Sequence, residues 1–398
     1  MTIPGHNPLS SEQIFILAAL RFLCGSASQD GQEISSLLQK GPLDWGGILF
    51  AADRHRVSAF LAYALNQAQL FHSLPVPVQG VLKSAAERAA MENLAKMMEF
   101  KKYSTLFAEQ NISVIPLKGI ALTHTVYGEM LVRRMGDIDI LVREGDLGKI
   151  KELLEAHGFY EKAFANLGHT EIVSRLIGRG SYVKESLDID LQWRPVFYIG
   201  GDYVEWDSKE GWEQALPRPE LGGTARLLSP RQQAQYLLFQ IANDFDQDYL
   251  FLVQLFDLAM VVKKFNLEPA GILKGFSAKI KSAHKLRIEK LLQAVHEIFF
   301  EKGDFGALTS DTAEIIQAMF ESKLDARAAW SGKGMLPAPV SWRDKIAFFA
   351  GYFFPDPEYI RQQYGSGAGA WMRGYGGHWA RLMLKALKFL SSGHGQRH

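Results

Sequence analysis

The chain has 398 residues, with 44 lysines and arginines against 43 acidic side chains; a net charge of +1 excludes a strongly basic nucleic-acid protein and an acidic solvating chain. Apolar residues make up 47% and charged residues 22%, enough core for two or three packed units and too much for disorder. The single cysteine, Cys24, excludes a disulfide framework and a cysteine-rich metal centre.

The N-terminus has no basic region followed by an apolar run, and no stretch of about 18 uncharged apolar residues follows, so the chain reads as cytoplasmic with no membrane span. Residues 1–110 read as an N-terminal helical region. Its longest periodic stretch, about 81–110, lacks Pro and Gly and is rich in Ala, Leu, Glu, Lys and Met, the good helix formers.

The texture changes at Asn111, where a core of mixed strands and helices is expected over residues 111–200. Residues 113–119 (SVIPLKG) read as a strand ending at Gly119, with a short helix over about 120–127. Residues 136–142 (GDIDILV) alternate with period two, a strand signal. Asp146 is placed to cap a helix running to about His157, which Gly158 stops. Residues 159–162, 169–176 and 182–193 read as three further strands. The order β-α-β-α-β-β-β implies an α+β fold, a small mixed sheet with helices packed on it.

From about residue 225 to 398 a C-terminal helical domain is expected. Ser229, Pro230 and Gln232 make a good helix start. Helical patterns follow near 247–265, 284–301, 310–322 and 346–354, the last preceded by Ser341 and Asp344 as a capping pair. The Gly-rich stretch 364–377 reads as a loop, before a basic amphipathic helix over 379–390.

The chemistry concentrates in two acidic strands. Alternation puts Asp137 and Asp139 on one face of their strand and Ile138, Ile140 and Val142 on the other. Gly136 just before them permits close approach of another group. In residues 186–193 (SLDIDLQW), Asp188 and Asp190 share one face in the same way. If the two strands are neighbours, three or four carboxylates converge on one patch. A hard divalent cation would relieve their repulsion, and oxygen ligands alone point to Mg2+ or Mn2+. Arg133 and Arg134 precede the first acidic strand, where one of them could clamp a phosphate group with its fork of donors; a solvated pair of loop charges is the alternative. His124 and His169 stand in no zinc-ligand spacing and read as structural. The lysine-rich stretch 263–290 is a basic face that could hold RNA, though a solvated helix face is the simpler reading. No stable DNA binding is expected.

These segments resemble the uncharacterised nucleotidyltransferase family of the polymerase-beta-like superfamily. The resemblance rests on Leu117-Lys118-Gly119, Arg133, Gly136-Asp137-Ile138-Asp139 and Asp190-Leu191-Gln192-Trp193, with a helical segment around Asp257, and covers roughly residues 80–365. It implies a nucleotidyltransferase-like sheet flanked by helical N- and C-terminal regions. By position it makes Asp137, Asp139 and Asp190 the catalytic metal ligands, with Asp190 helping to deprotonate the acceptor. It places Lys118, Gly119, Arg133 and Gly136 at the nucleotide, Lys118 as a compact cation for phosphate. The implied reaction moves a nucleoside monophosphate from an NTP to the hydroxyl of a small molecule, protein or RNA. Ile120 stands where the superfamily has Ser, and Gln192 where the family usually has His. These departures leave open a second reading, a catalytically degenerate binding or interaction protein on the same fold.

Overall fold

The computed structural model describes residues 9–25, 27–128, 132–162, 178–274, 280–301, 305, 308–321, 375–377 and 379–380. Helices α1 (Ser11–Cys24), α2 (Ala27–Gln39), α3 (Trp45–Arg54) and α4 (Ser58–Gln67) form the N-terminal region, and Ser10 caps α1 through a reciprocal pair with Gln13. The long helix expected from composition is α5 (Val76–Glu109), 34 residues. It begins a turn earlier than its good helix formers indicate, because Pro77 falls in its first turn, where the missing N–H costs nothing.

The central sheet has five strands in the order β1-β2-β5-β4-β3: β1 (Ile115–Pro116), β2 (Ile138–Leu141), β3 (Tyr160–Glu161), β4 (Arg179–Lys184) and β5 (Leu187–Gln192). It is mixed: β2 and β5 run parallel, while β1–β2, β4–β5 and β3–β4 are antiparallel. Helix α6 (Lys118–Leu122) and a π turn over Thr123–Tyr127 follow β1. Helix α7 (Leu147–Ala156) follows β2. Asp146 precedes α7 as expected, but its side chain makes no capping hydrogen bond.

Two cores meet the sheet from opposite faces. Ile138, Ile140, Ile189 and Leu191 join Phe100, Tyr103 and Phe107 of α5 and Ile150 and Leu154 of α7. Ile115, Leu117 and Leu141 join the larger core, built by α1 and α4 with α9 (Pro230–Asp246), α10 (Leu252–Phe265) and α12 (Ser282–Phe299). The even–odd alternation of the strands is thus satisfied on both sides, and the aspartates share the second face with Leu141.

The single strand expected over 182–193 is a hairpin of β4 and β5. Its turn uses Glu185 at φ 53°, a conformation that sequence signals assign to Gly or Asn. After β5 come the ribbon β6 (Val196–Ile199) with β7 (Asp202–Glu205), helix α8 (Ser208–Gln214), and the pair β8 (Leu216–Pro217) with β9 (Arg226–Leu227). Ser229 caps α9 by accepting from the Gln232 N–H. Helices α11 (Pro269–Leu273) and α13 (Ser310–Glu321) complete the described C-terminal part. The expected strand 169–176, His169, the helix at 346–354, the stretch 364–374 and most of the last helix lie outside the described residues. Among the described residues no helix is long and apolar enough to cross a membrane.

Candidate functional site

Parallel pairing of β2 with β5 aligns Asp139 with Asp190 and Leu141 with Gln192. Residues paired across parallel strands point to the same face, so the two carboxylates stand side by side. Asp137, one residue before β2, joins them: each of Asp137, Asp139 and Asp190 offers an oxygen within 4.8 Å of the others. The fourth carboxylate, Asp188, is not in this group. It accepts from Ser181 Oγ at 2.6 Å and from Lys162 Nζ at 3.2 Å, on the β4 side of the sheet.

Asp139 is the deepest of the three, with its side chain 3% exposed. Burial pushes its carboxyl above the ordinary range; the Lys118 ammonium pulls against this, and Asp137 and Asp190 add to it. Burial raises Asp190 as well, with Asp137 contributing and Arg179 opposing. The site therefore holds more negative charge than it neutralises. Three carboxylate oxygens at this spacing, with no sulfur or imidazole among them, form a donor set that fits Mg2+ or Mn2+.

Lys118 enters at the junction of β1 and α6. Its φ of 43° is a left-handed conformation, which costs a non-glycine residue about 1–2 kcal/mol. The kink brings Nζ to 2.8 Å from Asp139 Oδ1. Burial works against the charged ammonium, but Asp139, Tyr236 and Asp137 outweigh it and hold the pKa above the ordinary lysine value. Gly119 next to it is buried. A Cβ there would meet Met135 Cγ at 2.7 Å and Arg133 Nη1 at 3.1 Å, so a side chain at this position would have to displace Met135 where the α6 start and the loop before β2 pack together. At Gly136 a Cβ would meet only Arg56, at 4.0 Å, so the protein's own packing does not demand glycine there.

Arg133 is engaged elsewhere in the interior. Its Nε donates to both oxygens of Asp257 at 3.0 Å and its Nη2 to Oδ2 at 2.8 Å. Tyr127 donates to Asp257 Oδ1 at 2.6 Å. This buried trio ties the π turn and the loop before Asp137 to α10. The phosphate clamp expected of Arg133 thus meets a guanidinium whose fork already lies on a carboxylate. The sequence marks Asp257 as part of the segment that carries the resemblance, but not its partner 124 residues away.

Two further side chains complete the site, one of which the sequence gave no reason to single out. Gln192, at the end of β5, donates from Nε2 to Asp139 Oδ1 at 3.1 Å. Tyr236 on α9 donates to Gln192 Oε1 at 2.8 Å. Nothing in the pattern of α9 distinguishes Tyr236 from an ordinary core tyrosine.

Other sequence candidates lie apart. His124 is 3.4 Å from Glu220. Arg134 reaches Glu92 at 3.5 Å and borders a cleft of about 800 Å3 lined also by Arg56, Lys96, Lys102 and Lys184. That cleft touches Gly136, but none of the three aspartates lines it. Four cations of the basic stretch have partners in the fold: Lys263 the Leu23 carbonyl, Lys281 Asp202, Arg287 Asp246 and Lys290 Asp311.

Comparison with known proteins agrees with this geometry. The family model described as uncharacterised nucleotidyltransferase matches residues 41–297, which contain the sheet, the acidic triad and α10. No curated protein and no solved structure matched.

Proposed function

Because the chain belongs to the uncharacterised nucleotidyltransferase family, we propose that it transfers a nucleoside monophosphate from an NTP to an acceptor hydroxyl. The observation that carries this reading is the convergence of Asp137, Asp139 and Asp190 from two adjacent parallel strands. In the reaction the acceptor oxygen attacks the α-phosphorus, the bond from that phosphorus to the bridging oxygen breaks, and pyrophosphate leaves with the electron pair.

The three aspartates would hold a Mg2+ or Mn2+ ion, which supplies charge neutralisation on the phosphates and activation of the attacking oxygen. Asp190, with a raised pKa and the rim of the triad as its position, accepts the acceptor's proton. Lys118, whose side chain is 23% exposed, offers N–H donors beyond the one on Asp139 to a phosphate oxygen. Gly119 lets the α6 start sit close beneath it. Arg133 acts through Asp257, fixing the loop that delivers Asp137 to the site. The acceptor is a small molecule, protein or RNA.

Release of pyrophosphate from each NTP, with Mg2+ or Mn2+ and a panel of acceptor classes, tests the proposal. Wild type is expected to release it with one NTP, and Asp137→Asn to lose the activity by several orders of magnitude. Equal release by wild type and Asp137→Asn would refute it. A second reading, nucleotide binding without turnover, follows from two departures within the resemblance: Ile120 stands where the wider superfamily has Ser, and Gln192 where the family usually has His. It predicts an NTP-dependent rise in thermal stability with no pyrophosphate.

A further inference from the structure

Asp139 is held by one oxygen only. Lys118 Nζ and Gln192 Nε2 both bond Oδ1, at 2.8 and 3.1 Å, and among the described residues no hydrogen bond falls on Oδ2. Gln192 is 5% exposed and Tyr236 1% exposed, so neither side chain has bulk water to choose instead.

The chain of bonds also has a fixed direction. An ionised carboxylate only accepts, so the group facing Asp139 must be the Gln192 amide nitrogen. That leaves Oε1 toward α9, where it needs a donor, and the Tyr236 hydroxyl supplies one. Burial raises the Tyr236 hydroxyl above its ordinary pKa, which keeps it a donor throughout the working pH range. Tyr236 is itself fixed by edge-on contacts with Phe197 at 5.7 Å and Trp206 at 5.4 Å. The aromatic cluster around Tyr236 is thereby connected, through Gln192, to the Asp139 carboxylate on β2.

We propose that Gln192 and Tyr236 are positioning residues for the cation site: the Tyr236–Gln192 relay locks Oδ1 of Asp139 and presents Oδ2 to the divalent ion. The inference rests on the reading of Asp137, Asp139 and Asp190 as cation ligands. It assigns to Gln192 a chemical job that a histidine at the same place can also perform. One ring nitrogen would donate to Asp139 and the other accept from Tyr236. Leucine, of similar size, can do neither.

Outer hydrogen-bond partners of metal ligands characteristically govern 10–100-fold in metal affinity. The test is the affinity of the nucleotide-free protein for Mn2+ alone, by calorimetry, for wild type, Gln192→Leu, Gln192→His, Tyr236→Phe and Asp139→Asn. Each protein is titrated well below its own unfolding midpoint, so that loss of stability and loss of affinity separate. Gln192→Leu and Tyr236→Phe should weaken Mn2+ by about 10–100-fold. Gln192→His should return to within a few fold of wild type. Asp139→Asn should abolish binding.

Wild-type affinity in both Gln192→Leu and Tyr236→Phe, with binding lost in Asp139→Asn, would overturn the relay while leaving the cation site intact. Failure of wild type itself to bind Mn2+ would overturn the relay together with the reading beneath it. A Gln192→His variant as weak as Gln192→Leu would also count against the relay, since it would tie the effect to packing rather than to the hydrogen bonds. Tyr236→Phe removes one oxygen and keeps the ring, which guards the experiment against a variant that does not fold.

Discussion

Arg133 and Asp257 form a bidentate ion pair across 124 residues of sequence, with the Asp257 side chain 1% exposed and that of Arg133 11% exposed. The pair joins the loop before the acidic strand to α10. Removing one partner of such a pair leaves an uncompensated charge in the interior, at a cost of about 3–5 kcal/mol. Asp257→Asn is therefore expected to lower unfolding free energy by about that amount in urea titrations. Arg133→Met combined with Asp257→Leu should lose less than Asp257→Asn alone, because it leaves no orphaned charge.

Gly119 yields a packing prediction. Gly119→Ala drives a methyl group against Met135, and overpacking of this kind costs about 1–3 kcal/mol. Shortening the neighbour in the Gly119→Ala/Met135→Ala double variant should recover part of that loss. The check is a double-mutant cycle by chemical denaturation, with an interaction energy well clear of zero as the expected outcome.

The acidic strand was legible because a period of two, GDIDILV, admits one interpretation of which side chains share a face. The long helix was legible for the same kind of reason, a run of good helix formers ended at Asn111, whose φ is 57°. What the pattern could not supply was adjacency. That β2 and β5 are neighbours, that they run parallel, and that Asp190 rather than Asp188 joins the triad are facts of sheet order and register. The break at Glu185 has no sequence signal, because a left-handed glutamate carries none of the usual turn chemistry. The Arg133–Asp257 pair has no local sequence signal, because Asp257 lies on a distant helix. Only the hydroxyl contact with Gln192 separates Tyr236 from the other core aromatics of α9.

His55 yields a pH prediction away from the site. It is 1% exposed, and burial, with Arg54 adding to it, lowers its pKa to about 4. Its Nδ1 accepts from the Leu252 N–H at 3.3 Å at the start of α10, a bond only the unprotonated nitrogen can make. The unfolded chain binds this proton near pH 6.5 and the folded chain only near 4, so between those values the unfolded state carries more protons. Stability is therefore flat with respect to this group above pH 6.5 and falls as pH drops toward 4, by on the order of 3 kcal/mol. Urea titrations at a series of pH values should show that slope, and His55→Gln should flatten it.

The acidic triad predicts its own sign of stability change. Asp139 and Asp190 are raised above ordinary carboxylates, chiefly by burial, so relieving the crowding favours the fold. Asp137→Asn, which removes a neighbouring charge and keeps the shape, is expected to leave the metal-free protein as stable as wild type or more so. Thermal unfolding in EDTA checks this, and a clear fall in the midpoint would show that Asp137 has a structural task instead.

The most direct measurement is thermal unfolding of wild type and the Asp137→Asn/Asp139→Asn double variant with each of the four NTPs, with and without Mg2+ or Mn2+. A ligand that binds only the folded state stabilises it by mass action, by about 2.7 kcal/mol at a hundred times its Kd. The account predicts a rise in midpoint for wild type with one NTP that requires the divalent ion and vanishes in the double variant. An identical response of the two proteins, or no response of wild type to any NTP and metal, would contradict it.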